Sequence, residues 1–208
     1  MTRKKGAPRI SSRLKSSKAE QIFSAAEAVF LDVGYGAASM ESVAARANVS
    51  KSTIYGHFEN KQMLFDAIIR RRAEPIFGGQ DVPLATADIR QRLLDLATSY
   101  VMTMLSPGAV SMYRAVLAEA SQQPDIGQAF YLAGPTRAQR QLNDYFGALA
   151  ERGLPKLGAA DAPLVADLFM SMLAGDSHVR ALCNQPPDEV LFSKICAMAV
   201  DLVMTRYS

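Results

Sequence analysis

Lys51, Ser52, Thr53, Tyr55 and His57 place an ammonium, two aliphatic hydroxyls, a phenol and an imidazole within seven residues. Short polar and cationic groups at that density suit phosphate oxygens and base edges better than bond breaking. Nothing else in the chain competes for chemistry. The two histidines are His57 and His178, and the two cysteines are Cys183 and Cys196. There is no HxxxH, CxxC, Walker or GxSxG pattern, so no metal site, nucleotide loop or catalytic residue is expected, and no cofactor. His178 reads as a packing or hydrogen-bonding residue. Two cysteines are too few for a disulfide framework, and reduced thiols in a cytoplasmic protein are expected.

The elements that would position these groups are legible between Ser39 and Phe58. Ser39 can cap a first short helix, whose small apolar face is Val43, Ala44 and Ala47. Asn48 stands where the chain must turn sharply and is expected to take a positive φ, which asparagine tolerates better than most residues. Ser50 can then cap a second helix, with Ile54 and Phe58 buried on its inner side. Lys51, Ser52, Thr53, Tyr55, Gly56 and His57 are left facing outward. Two helices joined this way form a helix-turn-helix, whose second helix enters the major groove of DNA. Charge agrees. Residues 1–72 carry 13 Lys/Arg against 6 Asp/Glu, whereas residues 73–208 carry 10 against 14. Residues 1–19 hold seven basic residues and no acid, an arm suited to phosphates through counterion release.

The segment from about Lys18 to Ile69 resembles the DNA-binding domain of TetR/AcrR-type transcriptional regulators. The most specific stretch is Val49-Ser-Lys-Ser-Thr-Ile-Tyr-Gly-His-Phe-Glu-Asn-Lys61, followed by Leu64-Phe65. The remainder is more loosely similar to the AefR-like subgroup, through Tyr113-Arg-Ala-Val-Leu-Ala-Glu-Ala120 and Gln128-Ala-Phe-Tyr-x-Ala-Gly-Pro135. The resemblance implies DNA contacts from Lys18, Ser39, Ser50, Lys51, Ser52, Thr53, Tyr55, Gly56, His57 and Lys61. Lys51, Ser52 and Thr53 would lie at the groove-facing start of the recognition helix, with Tyr55 and His57 on phosphates. Lys61 would offer its ammonium and a helix N-terminus to a further phosphate. Ser52 and Gly56 depart from commoner patterns. Gly56 removes a contact that a larger side chain could make, so the preferred DNA sequence does not carry over from relatives.

Beyond the helix-turn-helix the pattern is helical throughout, with no β alternation. The expected organisation is a flexible basic arm (1–16), a three-helix helix-turn-helix DNA-binding domain (17–72), and a helical effector-binding and dimerisation domain (73–208). A first helix should run from about Ser17 to Val33 over the stripe Ile22, Ala26, Val29, Phe30 and Val33, and stop at Gly34. Asn60 can cap a helix with Leu64, Phe65, Ile68 and Ile69 inward, ending near Arg72. Pro75, Gly78, Gly79 and Pro83 mark a linker over 73–88. Further helices are expected up to Ser106-Pro-Gly108, from there to Pro124, and from Ile126 to Gly153 with a break at Pro135. Asp161 should cap a helix ending near Cys183. Pro187-Asp-Glu189 should open the last one, striped by Leu191, Ile195, Met198 and Leu202. No apolar run approaches the ~18 residues of a membrane span, and the basic N-terminus lacks the apolar core of a secretory signal.

Met and aromatic residues recur at helical spacing in the second part. Most must be core, but unbranched thioethers and rings also suit a pocket for varied apolar molecules. The resemblance implies such a pocket, and Tyr100, Met104, Tyr113, Arg114, Phe130, Tyr131, Phe146, Phe169 and Met172 are its expected lining. It also implies a homodimer through the helices over 161–183 and 187–206, whose apolar faces have no other evident partner. A two-fold dimer would meet a pseudo-palindromic duplex with half-sites about 34–36 Å apart.

The expected function is a cytoplasmic, sequence-specific repressor with two partners besides its own copy: double-stranded DNA and a small apolar effector that releases it. An activator, a co-repressor-dependent regulator and a non-specific architectural DNA binder fit the same residues. An enzyme using the pocket would need turnover that no motif supports.

Overall fold

The computed structural model describes residues 17–77, 89–152, 154, 156–185 and 188–207. The basic arm 1–16, the stretch 78–88 of the expected linker, and Pro187 lie outside the described residues. Among the described residues all regular structure is α-helical. The chain divides into two compact units between Ile68 and Ile69.

The first unit holds α1 (Ser17–Ala37), α2 (Met40–Arg46), α3 (Lys51–His57) and the start of α4 (Lys61–Phe77). Its core is Ile22, Ala26, Val29, Phe30, Val43, Ala44, Ile54, Leu64, Phe65 and Ile68, each at most 5% exposed. Aromatic edges join the helices: Phe23 packs on Phe58 at 5.7 Å, and Phe30 on Phe65 at 5.7 Å. Gly34 breaks α1 with φ 79° and ψ 163°, a conformation that glycine reaches at little cost. Val33 does not join the buried stripe and is 54% exposed. Tyr35 closes that end of the core instead, with its ring on Phe30 and Phe65.

The second unit begins within α4, which runs on to Phe77 rather than stopping at Arg72. Ala73 is buried in the core of this unit. Then follow α5 (Ile89–Met104), α6 (Pro107–Ala120), α7 (Pro124–Ala133), α8 (Pro135–Arg152), α9 (Ala162–Leu182) and α10 (Glu189–Tyr207). Prolines mark three of these starts because their missing N–H is an orphan of the first turn anyway. Ser106 caps α6 through the Ala109 N–H, and Asp188 caps α10 through the Leu191 N–H. Asp161 occupies the N-cap position of α9 but makes no side-chain cap bond. α5, α8, α9 and α10 share a core built on Leu93, Leu142, Phe146, Phe169 and Val200. Gly175, at φ 33°, kinks α9. Along α10 the buried residues are Cys196, Ala199, Val200 and Val203, so the stripe of Leu191, Met198 and Leu202 faces outward.

Candidate functional site

The helix-turn-helix is fixed by hydroxyl caps. Ser39 accepts from the Ser42 N–H at 3.0 Å, and Ser42 Oγ accepts from the Ser39 N–H at 3.1 Å, a reciprocal capping box at the start of α2. Asn48 takes φ 50° in the turn. Val49 N–H reaches back to the Ala44 carbonyl at 3.0 Å. Ser50 then accepts from the Thr53 N–H at 3.1 Å and lies 2.8 Å from both the Ser52 and Thr53 hydroxyls. Ile54, fully buried, anchors α3 and contributes about 1.5–3 kcal/mol by its burial.

With that side inward, Lys51, Ser52, Tyr55, Gly56 and His57 are exposed and Thr53 is partly so. The geometry brings these six together on one short helix. Gly56 has open space where a Cβ would stand, so its lack of a side chain is not imposed by packing within the chain. Lys18 is exposed in the first turn of α1.

Two features were not visible in the sequence. Lys51 pairs with Glu41 across the turn at 3.0 Å, both well exposed, and the bond from Lys51 holds the Glu41 carboxyl below its usual range. A phosphate would therefore compete with Glu41 for this ammonium. Arg46 pairs with Asp32, tying α2 to α1.

Lys61 departs from expectation. Its ammonium donates to the carbonyls of Tyr35 (2.6 Å), Gly36 (3.1 Å) and Ala38 (2.9 Å), and sits 4.4 Å above the Tyr35 ring. Three N–H donors meet three carbonyls left over at the end of α1. The ammonium is a staple between α1 and α4 and does not face outward as an anion anchor. Its backbone stays at the start of α4, where Asn60 Oδ1 accepts from the Met63 N–H at 2.9 Å.

The second unit contains a cavity of about 80 Å³. Of the expected lining, Tyr100, Met104, Tyr113 and Phe130 border it. Arg114 does not: its guanidinium donates to the carbonyls of Ala181 and Leu182 and neutralises the negative end of α9. Tyr131 is 63% exposed, turned away from the cavity that its neighbour Phe130 borders. Phe146 and Phe169 are fully buried against each other, 5.6 Å apart, and leave no space between them. Met172 packs on the core. The rest of the wall comes from Met112 and Met170, from small residues (Ala73, Ala109, Gly134, Ala138), and from Ile69, Thr103, Pro135 and Arg72.

An aromatic ladder backs the cavity. Tyr113 meets Phe130 and His178 edge-on, each at 4.6 Å. Burial pushes the Tyr113 phenol up, helped by Tyr131, and the Tyr100 phenol to about 12, helped by Tyr113. His178 Nε2 is buried without a hydrogen-bond partner among the described residues, and burial lowers the imidazole below 6.5. A folded-state value below the unfolded one means that the unfolded chain takes up the proton first. Stability is thus full above about pH 6.5 and falls as pH drops toward the folded value. The thermal midpoint is expected to decrease between pH 7.5 and 5.5, and His178→Gln to flatten that slope. An unchanged slope in the variant would show that the imidazole is not held neutral.

No helix among the described residues is long and apolar enough to cross a membrane. Residues 22–68 match the family model described as bacterial regulatory proteins, tetR family, and residues 91–208 that of the AefR-like transcriptional repressor C-terminal domain. The HTH-type transcriptional activator FasR of Mycolicibacterium smegmatis is 43% identical over 74 residues, 35% of this chain. That match spans 34% of the length of FasR. Among solved structures, a TetR-family regulator from Mesorhizobium loti shares the fold, with a TM-score of 0.74 at 24% identity over 93% of this chain and all of that one. The Flavonoid-responsive Regulator FrrA gives 0.68 at 26% identity, over 90% of this chain and 95% of its own.

Proposed function

Because the chain belongs to the TetR family of bacterial regulatory proteins and is a DNA-binding transcriptional regulator, we propose that it works as a homodimeric repressor released from a pseudo-palindromic operator by a small effector. The observation that carries this reading is the pairing of an exposed polar α3 with a separate, largely apolar cavity in the second unit. The DNA contacts are Ser39, Ser50, Lys51, Ser52, Thr53, Tyr55 and His57, with Lys18 and the start of α4 at Lys61 on the flanking backbone. Gly56 lets the α3 backbone approach the duplex. The work is done in the cytoplasm, where the chromosome is.

The dimer forms through α9 and α10. Leu164, Leu168 and Val179 on α9, and Val190, Leu191, Met198 and Leu202 on α10, are each at least 43% exposed. Exposed apolar side chains concentrated on two neighbouring helices favour a two-fold four-helix contact. The helix α4, which carries the chain from one unit into the other, is the lever. An effector that prefers the conformation with wrongly spaced heads weakens DNA binding, and DNA weakens effector binding by the same factor, typically ~1–3 kcal/mol. The name of FrrA, flavonoid-responsive, supports an effector site in this architecture.

The test separates the outward residues by role. Tyr55→Phe and His57→Ala are expected to weaken binding to specific and random duplexes alike. Lys51→Ala and Thr53→Ala are expected also to change which sequence is preferred, by about 1–3 kcal/mol per affected base pair. Fluorescence anisotropy on matched duplexes reads both. Equal effects of all four on every duplex would contradict α3 as the reading helix.

A further inference from the structure

Glu41 puts a negative charge on a surface that is otherwise suited to phosphates. It stands in the first turn of α2, exposed, against the start of α3. A phosphate backbone repels a carboxylate, and a carboxylate also cancels a cation that would otherwise release counterions from the duplex. Lys51 is as unusual in its place. It is the first residue of α3, where a cation opposes the positive end of the helix macrodipole. The two side chains are 66% and 45% exposed, and an ion pair so open to water contributes little to stability.

The pair does present a cationic donor and an anionic acceptor side by side. Lys51 Nζ and Glu41 Oε1 are 3.0 Å apart, and the bond from Lys51 keeps the Glu41 carboxyl ionised. Both stems rise from capped helix ends. The reciprocal bonds of Ser39 and Ser42 enclose Glu41, and the Ser50 hydroxyl accepts from the Thr53 N–H just beyond Lys51. In the major groove a G·C pair shows the matching pattern, with the guanine acceptors N7 and O6 next to the N4 amino donor of cytosine. An A·T pair fits less well. With the carboxylate on the adenine amino group, the ammonium has the single O4 of thymine, beside a methyl group, in place of the two guanine acceptors.

We infer that Glu41 and Lys51 act as one reading unit for a G·C pair in each half-site, Lys51 donating to guanine N7 and O6 while Glu41 accepts from the cytosine amino group. This rests on the reading of α3 above and adds to it a specificity-determining residue from α2. Because Glu41 already balances its charge, Lys51 adds little to the sequence-independent hold on phosphates.

The test is selection from one random duplex pool by the full-length parent, Glu41→Gln and Lys51→Ala proteins in parallel, with anisotropy on a single random-sequence duplex over a salt series. Glu41 is exposed, so its substitution leaves the core intact. Glu41→Gln is expected to lower the preference for G·C at one position of each half-site by about 10-fold and to admit A·T there, since an amide can pair with adenine N6 and N7. Lys51→Ala should lose the preference at the same position. On the random duplex Glu41→Gln should bind more tightly, with a salt slope steeper by about 1, as the freed ammonium takes a phosphate. Tighter binding of Glu41→Gln with every base preference unchanged would overturn the inference and leave Glu41 as a counter-charge only. Changes at different positions in the two variants would overturn the shared reading unit. Either result would leave α3 as the reading helix, whereas a parent protein that enriches no motif would overturn that reading and this inference together.

Discussion

A protein carrying Leu168→Glu together with Leu202→Glu is expected to sediment as a folded monomer and to bind its operator roughly 100- to 10,000-fold more weakly. Leu168 is 56% and Leu202 52% exposed, so neither glutamate is forced into the core of its own protomer. In a two-fold contact each would meet apolar surface, and four carboxylates would be desolvated there together. The loss on DNA follows from geometry rather than from α3, which is untouched. In a dimer, binding of the first head makes the second an intramolecular event, and a monomer forfeits that effective concentration. Sedimentation velocity gives the mass, circular dichroism the helix content and anisotropy the affinity. A variant that stays dimeric, or a folded monomer that binds as tightly as the parent, would contradict the interface or the two-head mode.

Lys61→Met is expected to destabilise the first unit by about 2–4 kcal/mol. The substitution keeps an unbranched stem over Tyr35 but leaves the carbonyls of Tyr35, Gly36 and Ala38 without their charged donor. It also removes the cation from the ring. Two compact units need not unfold together, so amide hydrogen exchange in α1 and α4 is the right readout. Protection there should fall while that of α9 and α10 stays unchanged. DNA binding should weaken through the population of folded heads, with an unaltered salt slope. If the ammonium instead met a phosphate, protection would hold and the slope of log affinity against log salt would shallow by about 1.

The contrast between Lys61 and Lys51 shows how much the sequence could say. Caps and turns are local, so Ser39, Asn48, Ser50 and Asn60 could be placed from their neighbours alone. The inward sides of α1 to α4 followed from 3.6-residue spacing, except at Val33, where Tyr35 closes the core from beyond the break. Lys61 was legible as the start of a helix, but its partners lie 23 to 26 residues earlier and depend on where α1 ends. The cavity was harder for a different reason. Periodicity tells which residues point inward and not which of them border empty space. Attention goes to large side chains such as Phe146 and Phe169, yet these fill space. Room is left by Ala73, Ala109, Gly134 and Ala138, and by a helix that continues past the apparent linker to bring Arg72 and Ala73 into the second unit.

The most direct test of the regulator reading is selection of duplexes from a random DNA pool by the purified protein at near-physiological salt, followed by sequencing of the survivors. The account predicts enrichment of one pseudo-palindrome whose half-sites are spaced for two heads, and loss of that enrichment in the Leu168→Glu, Leu202→Glu protein. Retention of DNA without any enriched sequence, or enrichment of a single half-site unaffected by the double substitution, would contradict it.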